Sequence, residues 1–463
     1  MQSQAENELS WLQNPFRELL RLSWPIAIST VSYSVMTLVD TLLVGRLGAA
    51  QLAGVGLGGT AAFVLTCFSF GLLRGVKTLV SQAVGAKRFD EVGRHLGAAL
   101  VFALGIGALT TLAGELVALF LPHICATAEE GAYARTYLSI RALGAPIAIW
   151  YVALREVRYG EGDARSPMVA TVAANLVNVT LASIFVYVLK WGVTGAAWAT
   201  VVAHSVEAGV MMWKTRARGF PLRDTTREHL RALWLVGMPT AIQFTLEVGS
   251  FAMLAAMVAA LSETEMAAHQ IALQVISFAF LPAFAVAEAA SVLAGQAVGA
   301  RREELVQRIA RLAMATASAY TCLCSLTLAL FAQLIVSAFT DVQSLSHAAV
   351  RLLHVAAVFL VFDGANMVAR GTLRGTGDAR YPAVVGVLTS WALTPPLTWL
   401  LGWRLHLGAF GGWLGLCAEI ILGSLILWWR IERGSWRSAS RATVASSIES
   451  DPESYSKVAS TGA

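Results

Sequence analysis

Twelve stretches of this chain are apolar enough, and long enough, to read as membrane-crossing helices. They run approximately over residues 16–43, 51–77, 94–121, 131–157, 167–189, 193–214, 229–261, 266–292, 307–335, 343–371, 381–402 and 408–430. Each holds about 20 residues or more, which as a helix crosses roughly 30 Å of hydrocarbon. A transmembrane β-barrel would show short segments of alternating polarity, and the pattern here does not alternate. Composition agrees, with 56% of residues hydrophobic and only 14% charged, where a soluble domain carries about 25% charged. The expected fold is an all-α integral membrane protein of twelve transmembrane helices.

Basic residues set the orientation. With an even number of spans both termini lie on one side, and placing them in the cytoplasm sorts the 34 Lys and Arg unevenly. Twenty-six fall in the tails and in loops around residues 87, 160, 222, 301 and 375, while Arg46, Arg135, Arg141, Lys190, Arg351 and Arg404 lie opposite. Arg74 and Lys77 sit inside the second span. This bias places both termini in the cytoplasm, and the expected location is the cell inner membrane, multi-pass. The net charge of +5 is thereby topological and implies no nucleic-acid partner. The first residues, MQSQAENELSWLQ, lack a basic start with a short apolar core, so no cleaved signal peptide is expected. Cys67, Cys125, Cys322, Cys324 and Cys417 show no metal-ligand spacing and are read as packing residues.

The chain also repeats itself. SQAVGAKR at Ser81–Arg88 returns as GQAVGARR at Gly295–Arg302, an offset of 214 in the numbering. At the same offset Pro25 meets Pro239 and Ala27 meets Ala241; at 215, GDARSP (162–167) meets GDARYP (377–382) and Trp198 meets Trp413. Spans 1–6 and 7–12 are thus two copies of one unit, entering the membrane from the same side and related by a pseudo-two-fold axis along its normal, an arrangement typical of transporters. The boundaries expected are an N-lobe at 1–213, a cytoplasmic linker at 214–231, a C-lobe at 232–434 and a Ser-rich, disordered cytoplasmic tail at 435–463.

Charges inside spans are the functional candidates, because a carboxylate at mid-membrane costs about 2.5–3.5 kcal/mol even on a lenient scale. Asp40, Glu247 and Asp363 stand out in spans 1, 7 and 10. Asp40 has an alternative as a helix-end residue near the outer interface, and Asp363 as a partner of Arg370 or Arg374. Glu247 lies far along span 7 from Ala232, deeper than Asp363 from its own cytoplasmic loop. The two meet only if span 7 starts well outside the hydrocarbon or bends at Pro239. The duplication adds two pairs. Arg74 and Glu288 match at 214 and would form a gate, joining when the cytoplasmic side closes; the alternative is a partner for each in its own lobe. His204 and Glu419 match at 215, with packing inside each lobe as the favoured reading.

WPIAISTVSYSVMTLVDTLLVGRLG in span 1, QAVGA after spans 2 and 8, and FDGANMVARGTLRGTGDARYP from span 10 onward resemble the multidrug and toxic compound extrusion (MATE) transporters. The resemblance covers all twelve spans. It implies a secondary antiporter exporting drugs and other organic, chiefly cationic, small molecules in exchange for Na⁺ or H⁺, without a cofactor and as a monomer. Glu247 and Asp363 match acidic positions of the sodium-coupled NorM-type branch, so Na⁺ would be held there. Asp40 matches a span 1 aspartate found more widely, and Asn178 and Thr200 match polar positions beside it. Asn175 shares a helical face with Asn178, and with Asp40, Asn178 and Thr200 it would bind substrate. Ala182 stands where several members carry a second Asp, which moves the expected cation pair to Glu247 and Asp363.

Other classes fare worse. GTGD at 375–378 mimics the signature of intramembrane aspartyl proteases, but GEGD at 160–163 occupies the same place in the first repeat, and both lie between spans. No enzyme activity is expected, and no GxxxxGK[ST] loop appears that would make transport by this chain alone ATP-driven. The runner-up is a flippase for a lipid-linked saccharide, which would present basic rather than acidic residues to its cargo.

Overall fold

The computed structural model describes residues 11–125, 127–216 and 225–448. Every regular element among them is helical: α1 Pro15–Gly45, α2 Ala49–Gly85, α3 Phe89–Phe120, α4 Ala128–Leu143, α5 Ala145–Gly160, α6 Arg165–Ser183, α7 Gly192–Thr215, α8 Arg227–Ala259, α9 Glu263–Gly299, α10 Glu304–Ser337, α11 Gln343–Gly375, α12 Arg380–Leu397, α13 Ala409–Arg433 and α14 Arg437–Ile448. Ten of these, including the π-helical ends of α6 and α12, are long and apolar enough to cross a membrane. A bent pair, α4 with α5, makes an eleventh span, broken by 48°. The break falls at Gly144, just before Pro146, which removes a backbone donor. The twelfth expected span, α7, is helical throughout, but His204 and Glu207 lower its hydropathy below that of the others.

One expectation needs adjustment. The tail is not uniformly disordered, because Arg437–Ile448 is helix. Trp436, fully buried, anchors its start, and Thr443 Oγ1 lies 3.3 Å from the Gly377 carbonyl. A Ser-rich composition missed the docking supplied by these residues. Of the expected linker, residues 217–224 lie outside the described residues.

The packing is that of a membrane bundle, with small residues inside and large apolar ones outward. On α10, Ala310, Ala313, Ala317 and Thr321 are buried while Leu323, Leu326, Leu330 and Leu334 are exposed at helical spacing. In lipid no hydrophobic force distinguishes the two faces, so close approach of small residues holds the helices together.

The chain divides into two compact units. One takes in the chain up to Ala27 together with Ile242–Val444; the other is Ile28–Ala241 with the chain from Ala445 on. The first two exchanges occur just after a proline, Pro25 in α1 and Pro239 in α8, the pair that the duplication matches. Within Ile28–Ala241 the core gathers Leu73, Val76 and Val80 of α2 around Leu96, Leu100 and Ile149. Within the other unit it gathers Leu352, Leu353 and Leu360 around Ala272, Leu328 and Trp413.

The repeated octapeptide has a structural reason. At the end of α2, Lys87 takes φ 58°, Arg88 N–H donates to Ala83 at 2.9 Å and Lys87 N–H to Val84 at 3.0 Å. At the end of α9, Arg301 takes φ 57°, with Arg302 donating to Ala297 and Arg301 to Val298, both at 2.9 Å. Each is a left-handed helix stop that satisfies the last carbonyls. Gly162 (φ 81°) and Gly377 (φ 92°) repeat the same stop after α5 and α11. The GxGD sequences are therefore turns. Asp163 Oδ1 accepts from Ser166 N–H at 3.0 Å, capping α6, and Asp378 pairs with Arg430 at 2.6 Å.

Candidate functional site

In the Ile28–Ala241 unit, α1, α6 and α7 bring together three of the four expected polar residues. Thr200 Oγ1 lies 3.4 Å from Asp40 Oδ2, and Asn178 Nδ2 donates to Thr200 Oγ1 at 3.4 Å. Thr200 has a single proton, and the Ala196 carbonyl, 3.0 Å away, competes for it. All three side chains are buried, Asp40 included, so it is not an exposed helix-end residue. Asp40 Oδ1 and Asn178 Oδ1 are buried with no donor among the described residues. Two orphaned acceptors in one place suit a proton or a cation better than an anion. The charge of Arg141 also bears on Asp40. Asn175 turns instead to Ser32 Oγ, on α1 before Asp40. Ala182, four residues after Asn178 on α6, is fully buried.

A second polar chain runs through this unit. Thr171 Oγ1 donates to Glu207 Oε1 at 3.1 Å, which leaves Tyr151 OH, at 2.7 Å, to donate to Thr171. His204 Nδ1 meets Glu207 Oε2 at 2.9 Å, and His204 also lines a cleft with Thr66, Thr110 and Arg141. Glu207, unremarked in the sequence, is the group that gives His204 its partner.

In the other unit, Glu247 and Asp363 behave differently from one another. Arg370 Nη1 stands 2.8 Å and 2.9 Å from the two carboxylate oxygens of Glu247, and Gln243 Nε2 donates to Oε1 at 2.9 Å. The sequence offered Arg370 as a partner of Asp363; its ion pair is with Glu247. Asp363, half-buried on α11, has no ion pair or hydrogen bond among the described residues. It is nevertheless within reach of the Arg370 charge. The helix that carries Glu247, α8, starts at Arg227, ahead of Ala232. Glu419 completes the cluster: it accepts from Thr394 Oγ1, and Arg370, Glu247 and Asp363 all act on it electrostatically. Three acids and one base thus share this part of the unit.

Gly386 on α12 makes room for the pair. A Cβ there would sit 2.2 Å from Glu247 Oε1 and 2.7 Å from Gln243 Nε2. Gln243, Arg370 and Gly386 were not singled out as site residues. The one usable signal was Arg370, a base in the same span as Asp363. Arg74 and Glu288 lie on α2 and α9 in different units, and neither lacks polar or charged partners. Among the described residues no cluster of His, Cys, Asp and Glu is arranged to hold a metal as ligands.

A polytopic helical bundle with duplicated halves and carboxylates inside its spans is an architecture that many integral membrane transporters share. The MatE family model matches residues 25–184 and 239–400, one segment in each half, and the chain belongs to that family. A probable multidrug resistance protein NorM of Pseudomonas putida is 30% identical over 444 residues, covering 90% of this chain and 95% of that protein. One from Burkholderia pseudomallei is 31% identical over 445 residues, covering 90% and 92%. Among solved structures, a MOP superfamily transporter from Pyrococcus furiosus superposes with a TM-score of 0.85 at 23% identity, over 92% of this chain and 96% of that one. An outward-facing multidrug resistance MATE family transporter of the same superfamily gives 0.84 at 24% identity, over 93% and 96%. The expected fold class, twelve membrane helices in two sets of six, is that of these neighbours. The transporter reading holds against the enzyme reading.

Proposed function

We propose that this chain is a secondary active multidrug efflux antiporter of the cell inner membrane, exporting organic cations in exchange for Na⁺ or H⁺. Family membership across both halves supports it, as do relatives that carry multidrug-resistance names. The flippase alternative is not favoured. The observation that carries the coupling is Asp363, a carboxylate in a membrane span with no counter-charge of its own, in the same cluster as a Glu247 whose ion-pair partner is Arg370. An uncompensated carboxylate at that depth is stabilised by taking up a cation or a proton. Glu247 and Asp363 together bind the coupling cation, through oxygen ligands if it is Na⁺. Asp40, with Asn175, Asn178 and Thr200, binds substrate or a proton in the other unit.

The excess of Lys and Arg on one side supports cytoplasmic termini, and a monomer acting alone suffices for this scheme. Expression in an efflux-deficient bacterium tests the proposal. Wild type should raise resistance to several organic cations and expel a fluorescent one, and Asp363→Asn at equal membrane expression should do neither. Resistance fully retained by Asp363→Asn would remove this carboxylate from the mechanism.

A further inference from the structure

We infer that Arg370 is a tethered counter-cation that competes with the transported cation for Glu247. The inference rests on the reading that Glu247 is a cation ligand. It goes further in assigning to the protein's own guanidinium the place that an external cation must take.

Four observations carry it. First, one nitrogen, Nη1, bridges both oxygens of Glu247 at 2.8 Å and 2.9 Å, which is where a bound cation would sit. Second, the guanidinium is incompletely held. It has five N–H donors, yet Nε is buried with no acceptor among the described residues. The ion pair with Glu247 therefore leaves part of the guanidinium's hydrogen-bonding capacity unmet in this position. Third, the backbone of α12 is cleared for this pair. A Cβ at Gly386 would lie 3.3 Å from Arg370 Nη2 as well as 2.2 Å from Glu247 Oε1. Fourth, the duplication supplies a contrast. Arg155 is the counterpart of Arg370 at the offset of 215, and it pairs at 2.9 Å with Glu156, its neighbour on the same helix. It also lies 5.8 Å and 5.9 Å from the ring centres of Tyr151 and Tyr159. In the second repeat Gly371 replaces Glu156, and Asn366 and Arg374 replace the two tyrosines. Arg370 is thus stripped of these local partners and crosses to Glu247 on α8, 123 residues away in the chain.

The charges follow. With Arg370 on Glu247, the pair is neutral and Asp363 stays uncompensated. A cation that takes Glu247 frees the guanidinium near Asp363 and Glu419, two carboxylates already within its field. Displacement therefore exchanges one cation for another without leaving a bare charge, which a low-dielectric site would resist.

The test is equilibrium binding of the coupling cation, supplied as radiolabelled Na⁺, to the purified full-length protein at fixed pH and ionic strength; no Na⁺ binding by either wild type or R370Q overturns the competitor. Removing a competitor that makes charge-assisted hydrogen bonds should tighten binding, so R370Q should bind about tenfold tighter than wild type. R370K keeps the charge but loses the planar fork and has a more strongly hydrated head. It should fall between the two, about threefold tighter than wild type, whereas a purely long-range charge effect leaves it unchanged. Adding E247Q to R370Q should abolish the gain. Unchanged or weaker binding in R370Q, with E247Q weakening binding in that background, overturns the competitor and leaves Glu247 as a ligand. Binding by the R370Q variant that E247Q does not alter removes Glu247 from the cation site, and both readings fall. Should R370Q fail to fold, R370K decides: a gain supports the competitor, and wild-type affinity overturns it.

Discussion

Gly375 lies directly on the backbone of Ser291: a Cβ at Gly375 would come 2.1 Å from the Ser291 carbonyl oxygen. The matching glycine of the first repeat, Gly160, faces Lys77 in the same way, with 2.9 Å to its carbonyl oxygen and 2.8 Å to the Cβ of Val80. Lys77 and Ser291 are themselves counterparts at the offset of 214. The duplication is therefore a repeat of packing as well as of sequence. Gly375→Ala must push two helix backbones apart and should cost about 1–3 kcal/mol, as overpacking does. Gly160→Ala meets a less severe clash and should cost less. Thermal unfolding in detergent checks the order; equal melting temperatures for Gly375→Ala and wild type would contradict it.

Asp40→Asn keeps the size of the side chain and removes its charge while Asn178 and Thr200 remain beside it. The expected outcome is an altered set of drugs to which the protein confers resistance, with loss greatest for cations. Thr200→Val, which removes the hydroxyl beside Asp40 Oδ2, should shift the same set in the same direction with a smaller effect. Resistance profiles at matched expression measure both. An unchanged profile for Asp40→Asn would make Asp40 a structural residue.

The sequence matches Arg74 with Glu288 across the duplication, and exchanging their charges tests whether that match is functional. Arg74→Glu or Glu288→Arg alone should abolish efflux, and the double swap should restore it. The readout is efflux of a fluorescent cation from loaded cells, with folding verified by size-exclusion chromatography. A double swap no better than the worse single variant means that each residue serves its own unit.

Much of the fold was legible because membrane insertion writes itself locally. All twelve apolar stretches coincide with helices, and the left-handed helix stops at Lys87, Arg301, Gly162 and Gly377 were visible as two repeated peptides. The break of the fourth span had a local signal too, in Gly144 and Pro146. Hydropathy alone was weaker for α7, because Glu207 and His204 are carried there as a pair. The site was legible in part. Asp40, Asn178 and Thr200 were placed together through family resemblance and meet in the structure. The partner of Glu247 was not, because Arg370 is 123 residues away and the choice between Glu247 and Asp363 depends on how α8, α11 and α12 pack. Gly386 carried no signal at all, since the space it leaves has meaning only once its neighbours are known. The helix at Arg437–Ile448 escaped for a similar reason: its stability comes from docking rather than from its own composition.

Coupled transport through Glu247 and Asp363 is the central claim, and inverted membrane vesicles test it most directly. Uptake of a fluorescent organic cation is followed with a Na⁺ gradient or an H⁺ gradient imposed one at a time, for wild type, Glu247→Gln and Asp363→Asn at equal expression. Wild type should accumulate the dye under at least one of the two gradients, and both variants should fail under that same gradient while remaining folded. Full gradient-driven uptake by Glu247→Gln, or wild-type uptake that neither gradient changes, would contradict the account.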